Sequence, residues 1–492
     1  MAAPQEQNFS EVTIRNTGWE YLSKYLGKFL SFISFSILAW LLTKDDFGLA
    51  GYAAIVINFL DVLSDLGIGA AIIYYKENPK ANDTAFWSSI FIGGVLFLLT
   101  WIISPYVGEY FNDPRVVPIT RTLALTFPLT SVGNVHKSLI IKEINFKKKF
   151  VPEFFQSMSK GIISIILALM NFGAWSIVLG QVIGEFISSI VYWIVFPWRP
   201  KFVFSYRLLR DLLNYGLGTI GVNAIGIALL NVDYLIVGRV LGTEALGVYT
   251  FAFRVPELLI KQMNGVISRV LFPVFSKIKD DADSLKNAFF ETLKYVSIIS
   301  VALGVGLAVV TEPLVIAFFS SKWIEAVPVI RLISIYSVVL SFFFSLGDFY
   351  KATGQLRLLS YLSLFRLVMV APALYWIAQT YRSIVYIGWT LLIIIIVHWL
   401  FNYFIFAKQL KVSVLKLFGV LRIPIISGTL MGICVHFLLT TILDETNVWI
   451  QMLFGIPLGI FVFVTSLWIQ DKNILSDIFR LSKKFDFIRK KD

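Results

Sequence analysis

The chain has 492 residues, of which 57% are hydrophobic and 15% are charged, and its mean hydropathy is +0.76. This composition excludes an ordinary soluble globular protein. Runs of about 20 apolar residues indicate membrane-spanning helices, because backbone polar groups inside a bilayer must be satisfied within each segment. The formal net charge is +12, and the only cysteine, Cys434, excludes an intramolecular disulfide.

Fourteen spanning helices are predicted, which makes the protein all-α and polytopic. In chain order they cover residues 17–42, 48–75, 85–107, 116–140, 152–170, 174–197, 212–238, 245–275, 288–310, 325–346, 355–378, 383–406, 419–442 and 448–469. We expect the first to be retained as a helix, since it lacks the short apolar core and the small-residue cleavage site of a signal peptide.

The distribution of Lys and Arg predicts the orientation. With the N-terminus inside, the inner connections and the C-terminal tail carry most of these residues. The outer connections carry Lys44, Arg115, Arg239, Lys322 and Arg382. Both termini are therefore expected in the cytoplasm. The basic excess indicates topology and contact with anionic membrane lipids, and no nucleic-acid partner is expected.

The sequence contains an internal repeat. Residues 42–49 (LTKDDFGL) match residues 241–248 (LGTEALGV) at an offset of 199, and 117–125 match 327–335 at an offset of 210, which pairs Arg121 with Arg331. The repeating unit has six helices, so two lobes share one orientation and are related by a pseudo-two-fold axis along the membrane normal. The predicted domains are an N-terminal lobe (1–206), a C-terminal lobe (207–410), two extra helices (411–470) and a basic cytoplasmic tail (471–492).

Basic residues inside the apolar segments are candidate substrate ligands. A charge at a helix centre costs about 2.5–3.5 kcal/mol, so it must face water, a partner or the interface. On the eighth predicted helix, Arg254, Lys261 and Arg269 form a stripe about 22 Å long at ideal helical rise. A cavity for a phosphate-bearing head group is predicted from Lys24, Lys28, Arg121, Arg254, Lys261 and Arg331. The alternative is intrahelical pairing, such as Glu257 with Lys261, or snorkelling to the interface.

Acidic residues within the predicted helices are candidates for ion coupling or for pairing with these cations. They are Asp61, Asp65, Asp233 and Glu257. The alternative for them is structural pairing between helices. The glycines at 216, 218 and 221 match a dinucleotide-binding pattern, but inside a membrane helix they indicate close helix packing. We expect no catalytic residues, no metal site and no cofactor.

Several segments carry a resemblance to a known family. They are LLTKDDFGLA (41–50), DLGIGAAII (65–73), FNDP (111–114), NVDYLIVGRVLGTEALGVY (231–249), RVLFPVFS (269–276), KW (322–323) and ATG (352–354). In their order and spacing, the chain resembles the polysaccharide transporters (Wzx-like) of the multidrug/oligosaccharidyl-lipid/polysaccharide (MOP) superfamily.

The resemblance implies a flippase that works by alternating access and moves undecaprenyl-pyrophosphate-linked oligosaccharide, such as an O-antigen unit of lipopolysaccharide, to the outer leaflet. It implies a bacterial or archaeal cytoplasmic (inner) membrane, a polysaccharide polymerase as a partner, and pyrophosphate contacts from basic cavity residues, here Lys24, Lys28, Arg254 and Lys261. The extra helices resemble a pair that forms a groove for the prenyl tail. The alternatives are a drug/cation antiporter of the same fold (MATE-like), a membrane glycosyltransferase or polymerase, and a non-transporting scaffold.

Overall fold

The computed structural model describes residues 25–65, 68–69, 72, 79–143, 145–261 and 274–474, and the regular structure of these residues is helical. The helices are α1 (Tyr25–Leu41), α2 (Lys44–Asp65), α3 (Pro79–Phe111), α4 (Val116–Leu123), α5 (Thr126–Lys142), α6 (Phe146–Leu169), α7 (Ala174–Val195), α8 (Tyr206–Leu241), α9 (Thr243–Pro256), α10 (Ala282–Phe319), α11 (Val327–Ala352), α12 (Leu356–Tyr381), α13 (Ile384–Gln409), α14 (Leu415–Phe437) and α15 (Val448–Gln470). Within the described ranges, eight helical segments are long and apolar enough to cross a membrane. The prediction of an all-α polytopic membrane protein is confirmed.

Two of the predicted spans are interrupted close to a proline. The span 116–140 is divided into α4 and α5 at residues 124–125. Pro128 has no N–H to bond to the carbonyl four residues earlier, at Ala124, so the helix breaks there. The span 245–275 begins as α9, which ends at Pro256, and a π-helical turn, Glu257–Lys261, follows it.

The described residues divide into two compact units, one up to Gly247 and the other from Val248 onward. In the first unit, α6 and α7 pack closely because small residues meet between them. A Cβ atom on Gly180 would lie 1.9 Å from the Ser164 hydroxyl oxygen, and one on Gly184 would lie 3.0 Å from the Lys160 Cβ. These glycines are four residues apart, the spacing that allows two membrane helices to approach closely.

In the second unit, α10 packs against α11, α14 and α15. Its aromatic core includes Phe289 and Phe406, whose ring centroids are 4.2 Å apart. An ion pair between Lys294 of α10 and Asp471, just after α15, has an N–O distance of 3.0 Å. The two helices that follow the sequence repeat are therefore packed on α10. The assignment of lobes divided at residue 206 stays a prediction.

Candidate functional site

Helices α2 and α9 begin at matching positions of the repeat, and they cross in close contact. A Cβ atom on Gly48 would lie 2.0 Å from the Thr243 carbonyl oxygen, and one on Gly247 would lie 1.9 Å from the Lys44 carbonyl oxygen. The offset of 199 pairs Gly48 with Gly247 and Lys44 with Thr243, so the two contacts are reciprocal. Only glycine permits this approach at either position.

The starts of these helices are set by local chemistry. Thr43 and Asp46 form a reciprocal cap on α2, because the Thr43 hydroxyl accepts a bond from the Asp46 amide while the Asp46 carboxylate accepts one from the Thr43 amide. Before α9 the chain turns at Gly242, where φ is +87°, a backbone conformation that favours glycine. The crossing is thus fixed by a cap on one side and a glycine turn on the other.

Helix α2 continues along α8. The Tyr52 hydroxyl donates to the Gly238 carbonyl at 2.9 Å, in a buried contact. Further along, the Asn58 amide donates to the Asn231 side chain at 3.5 Å. The two asparagine side chains therefore link α2 to α8 part-way along both helices.

Beside the crossing lies a charged group that we call the outer cluster, formed by Asp45, Asp113, Arg115 and Thr243. Arg115 donates to both oxygens of Asp45 at 2.8 and 3.1 Å and to Asp113 at 2.7 Å, and the Thr243 hydroxyl donates to Asp113 at 3.3 Å. The Arg115 guanidinium holds the pKa of the Asp113 carboxyl below its usual value. The cluster connects the segment between α3 and α4 with the first turns of α2 and α9, at the end that the basic-residue distribution assigns to the outside.

Arg239, near the end of α8, strengthens the same end of the unit. It donates to the carbonyls of Glu109 and Tyr110, and its guanidinium lies 5.4 Å from the centre of the Tyr110 ring. The outer arginines Arg115 and Arg239 therefore both bind groups at or just after the end of α3. In the sequence these two residues indicate topology, and no pattern there points to this structural role.

Two of the predicted head-group ligands, Arg121 and Arg331, already contact neighbouring helices. Arg121 donates to the Ser104 hydroxyl at 2.9 Å and lies 4.4 Å from the Trp101 ring centre. Arg331 forms an ion pair with Glu312 at 3.1 Å, in which both side chains are largely exposed. These contacts indicate that each arginine holds its own helix against the preceding one, and we call the two residues the bracing arginines.

The predicted cationic stripe does not keep a regular α-helical register. Arg254 pairs with Glu257 at 3.4 Å, and the π-helical turn then changes the direction in which later side chains leave the helix. The side chain of Lys261, and all of Arg269 and Lys24, lie outside the described residues. Lys28 is half-buried on α1. Glu257 thus pairs with Arg254, while the suggested pairing with Lys261 involves a side chain outside the described residues and stays a prediction.

The predicted acidic residues fall in different environments. Asp61 is exposed on α2, and its carboxylate accepts from the Ser64 hydroxyl at 2.9 Å. Asp233 is buried on α8, two residues from Asn231. Asp65 ends α2, and its side chain lies outside the described residues. Their assignment to ion coupling or charge pairing stays a prediction.

A further group of polar residues, which we call the α6–α7 polar cluster, was not among the predicted site residues. It consists of Gln156 and Lys160 on α6 and of Gln181 and Glu185 on α7. The Glu185 carboxylate oxygen accepts from Gln156 at 2.5 Å and from Gln181 at 3.2 Å, and the Lys160 amine donates to Gln181. Each pair is spaced four residues apart, beside Gly180 and Gly184, and this spacing is the sequence signal that could have identified the cluster.

Comparison with known proteins decides the family. The model of a family described as polysaccharide biosynthesis protein matches residues 37–328. The chain belongs to this family. The teichuronic acid biosynthesis protein TuaB of Bacillus subtilis (strain 168) is 26% identical over 422 residues, which cover 84% of this chain and 86% of TuaB. The succinoglycan biosynthesis transport protein ExoT of Rhizobium meliloti (strain 1021) is 23% identical over 477 residues, with 96% of each chain covered.

Solved structures identify the fold. The lipid II flippase MurJ in an inward closed conformation has a TM-score of 0.75 and 13% sequence identity, covering 94% of this chain and 100% of that one. An inward-facing MATE-family multidrug resistance transporter of the MOP superfamily has a TM-score of 0.65 and 17% identity, covering 78% and 95%. The predicted resemblance to a polysaccharide family is confirmed by the family model, and the chain shares its fold with these two structures.

Proposed function

We propose that this membrane protein is a flippase for oligosaccharide linked to a prenyl pyrophosphate, such as undecaprenyl pyrophosphate. It would carry this lipid from the cytoplasmic to the outer leaflet of a bacterial or archaeal cytoplasmic membrane, with both of its own termini in the cytoplasm. Membership of a polysaccharide biosynthesis family supports the substrate class, and similarity to ExoT, a succinoglycan biosynthesis transport protein, supports the activity. A polysaccharide polymerase is the proposed consumer of the product.

The observation that carries the proposal is the reciprocal crossing of α2 and α9, because a repeat-related contact is what an alternating-access transporter uses to close one side. We infer that the glycine contacts and the outer cluster keep the outer side closed during part of the transport cycle. Opening would require Arg115 to leave Asp45 or Asp113, and Gly48 to separate from Thr243. Water and the sugar would then reach the outer leaflet.

The head group would be bound by intramembrane cations, because a pyrophosphate needs positive charge where the bilayer supplies none. Lys24, Lys28, Arg254 and Lys261 remain the proposed ligands. Arg guanidinium groups match phosphate oxygens in pairs, while Lys acts as a point charge. The pairing of Arg254 with Glu257 at 3.4 Å is compatible with this role, since a half-exposed pair is weak enough to be exchanged for phosphate.

Complementation tests the proposal. The chain is expressed in a bacterium that lacks its own oligosaccharide flippase, with a panel of lipid-linked sugars, and the leaflet that holds the sugar is determined. We expect restored outer-leaflet sugar from the wild type and its loss in Arg254→Ala, with equal membrane insertion. An inserted wild-type protein that restores none of the sugars would contradict the proposal.

An antiporter of drugs or organic cations is the second candidate, since the MATE-family transporter shares the fold. Such a transporter needs carboxylates to attract cations, whereas the intramembrane charges of this chain are mainly basic. Dye efflux from cells that express the chain, driven by a proton or sodium gradient, would support this alternative.

A further inference from the structure

The α6–α7 polar cluster contains a lysine near the middle of the predicted span 152–170. Lys160 is 14 residues from the first residue of α6 and nine from its last, which places it about 21 and 14 Å from the two helix ends. A lysine side chain is too short to span either distance. Its amine, although exposed on the surface of this unit, donates to Gln181 on the facing helix. A cation in this position is expected to have a function.

Glu185 is held so that it can serve as the counter-charge of this lysine. The amides of Gln156 and Gln181 both donate to its Oε1 oxygen, and Gln181 in turn accepts from Lys160. The backbones beneath are fixed by the close contacts of Gly180 with Ser164 and of Gly184 with Lys160. The cluster is therefore a built arrangement of one cation, one carboxylate and two amides.

The charges that face Glu185 come from the helices packed against α7. Lys160 lies on α6, Lys137 on α5 and Asp61 on α2, and all three act on the Glu185 carboxylate. Helix α4 also packs on α7, but its Arg121 is bound to Ser104 and Trp101 of α3. Gln181 accepts from Lys160 and donates to Glu185, so Lys160 is the cation most directly connected to the Glu185 carboxylate.

We propose that Lys160 is a further ligand of the substrate's pyrophosphate, and that Glu185 neutralises it when no substrate is bound and takes up a proton when it leaves. Once the amine turns to a phosphate oxygen, Glu185 has lost its counter-charge in a medium of low dielectric constant. Its neutral form is then favoured, and the proton comes from water. Binding of the head group is thereby linked to uptake of a proton, which gives the proposed flippase a means of coupling to a proton gradient. The inference rests on the proposed function.

The test is calorimetric binding of farnesyl pyrophosphate to the full-length protein in detergent, in two buffers with different enthalpies of ionisation, which yields the number of protons taken up. We expect Glu185→Gln to bind the probe with about one proton fewer than the wild type. Lys160→Gln should bind about 10–100-fold more weakly, the scale of one charge-assisted contact. Protonation of the probe itself is the same for all variants and cancels in the comparison.

Lys149→Gln is the matched control, because Lys149 also lies on α6 and pairs with a glutamate, Glu153, at 3.4 Å. It should keep the affinity and the proton uptake of the wild type. Unchanged proton uptake in Glu185→Gln, or unchanged affinity in Lys160→Gln, would overturn the inference while the proposed function stands. A folded wild-type protein that binds no prenyl pyrophosphate would instead overturn the proposed function, and this inference with it.

Discussion

Arg121 of α4 and Arg331 of α11 occupy matching positions of the repeat, yet they have different partners. Each reaches back to the long helix that precedes it, Arg121 to Trp101 and Ser104 of α3 and Arg331 to Glu312 of α10. The position and direction of the arginine are thus shared, while its partners have changed from a ring and a hydroxyl to a carboxylate. The comparison shows that a repeated cation can keep its position and direction while its partners change.

The crossing of α2 and α9 is the opposite case, because there the matching positions also have matching partners. Gly48 meets Thr243 and Gly247 meets Lys44, and in both contacts the obstacle to a larger residue is a backbone carbonyl. A substitution of Thr243 or Lys44 would leave its backbone carbonyl in place. Both positions that face these carbonyls must therefore remain glycine. We therefore expect substitutions at the crossing to be far more harmful than substitutions of the bracing arginines.

The largest effect is expected for Gly48→Ala and Gly247→Ala. Either methyl group would have to move a helix backbone, at a cost of about 1–3 kcal/mol or more. Gly94→Ala on α3 is the matched control, because nothing lies within 4 Å of its added Cβ. There the loss of glycine should stabilise the helix by up to about 1 kcal/mol. Thermal unfolding in detergent should show opposite shifts, and equal shifts would contradict the tight crossing.

The second effect is expected for Arg115→Ala. Asp113 is buried at 7% exposure and would lose its counter-charge, and Asp45 would lose a two-point contact. We expect a destabilisation of about 1–3 kcal/mol and reduced export. Arg115→Lys keeps the charge but loses the forked geometry, so it should restore only part of the stability. If the alanine variant had the export and stability of the wild type, the outer cluster would not be what keeps the outer side closed.

The smallest effects are expected for the bracing arginines. Arg331→Ala breaks an exposed ion pair, worth about 0.2–1 kcal/mol. Arg121→Ala removes a contact with Trp101 worth about 0.5–1 kcal/mol and one hydrogen bond. Complementation should retain export in both variants. If either variant inserts normally but exports nothing, the substituted arginine is needed for transport, as the prediction of a head-group ligand requires.

The sequence predicted the fold well because bilayer physics constrains it strongly. The length of the apolar runs predicted the helices. The match of Gly48 with Gly247 predicted the repeat, and in the structure these two glycines lie at the crossing of α2 and α9. Proline effects were local and were missed, as at Pro128 and Pro256.

The candidate site was less predictable, because a cation in an apolar segment has the same cost whether it meets a substrate or a neighbouring helix. Spacing alone could not distinguish Arg121, bound to α3, from a free ligand. The α6–α7 polar cluster was within reach of sequence analysis, since its four residues lie at helical spacing beside two glycines. What the sequence lacked was the pairing of α6 with α7.

The most direct test of the account is transport with the outer side held closed. Asp113→Cys and Thr243→Cys, whose native side chains are 3.3 Å apart, are combined with Cys434→Ser and joined by a disulfide or a short thiol cross-linker. Movement of a prenyl-pyrophosphate-linked oligosaccharide between leaflets is then measured in proteoliposomes. We predict transport before cross-linking, none after it, and recovery on reduction of the disulfide. Transport by the cross-linked protein at the rate of the free one would contradict the closure of the outer side on which the account rests.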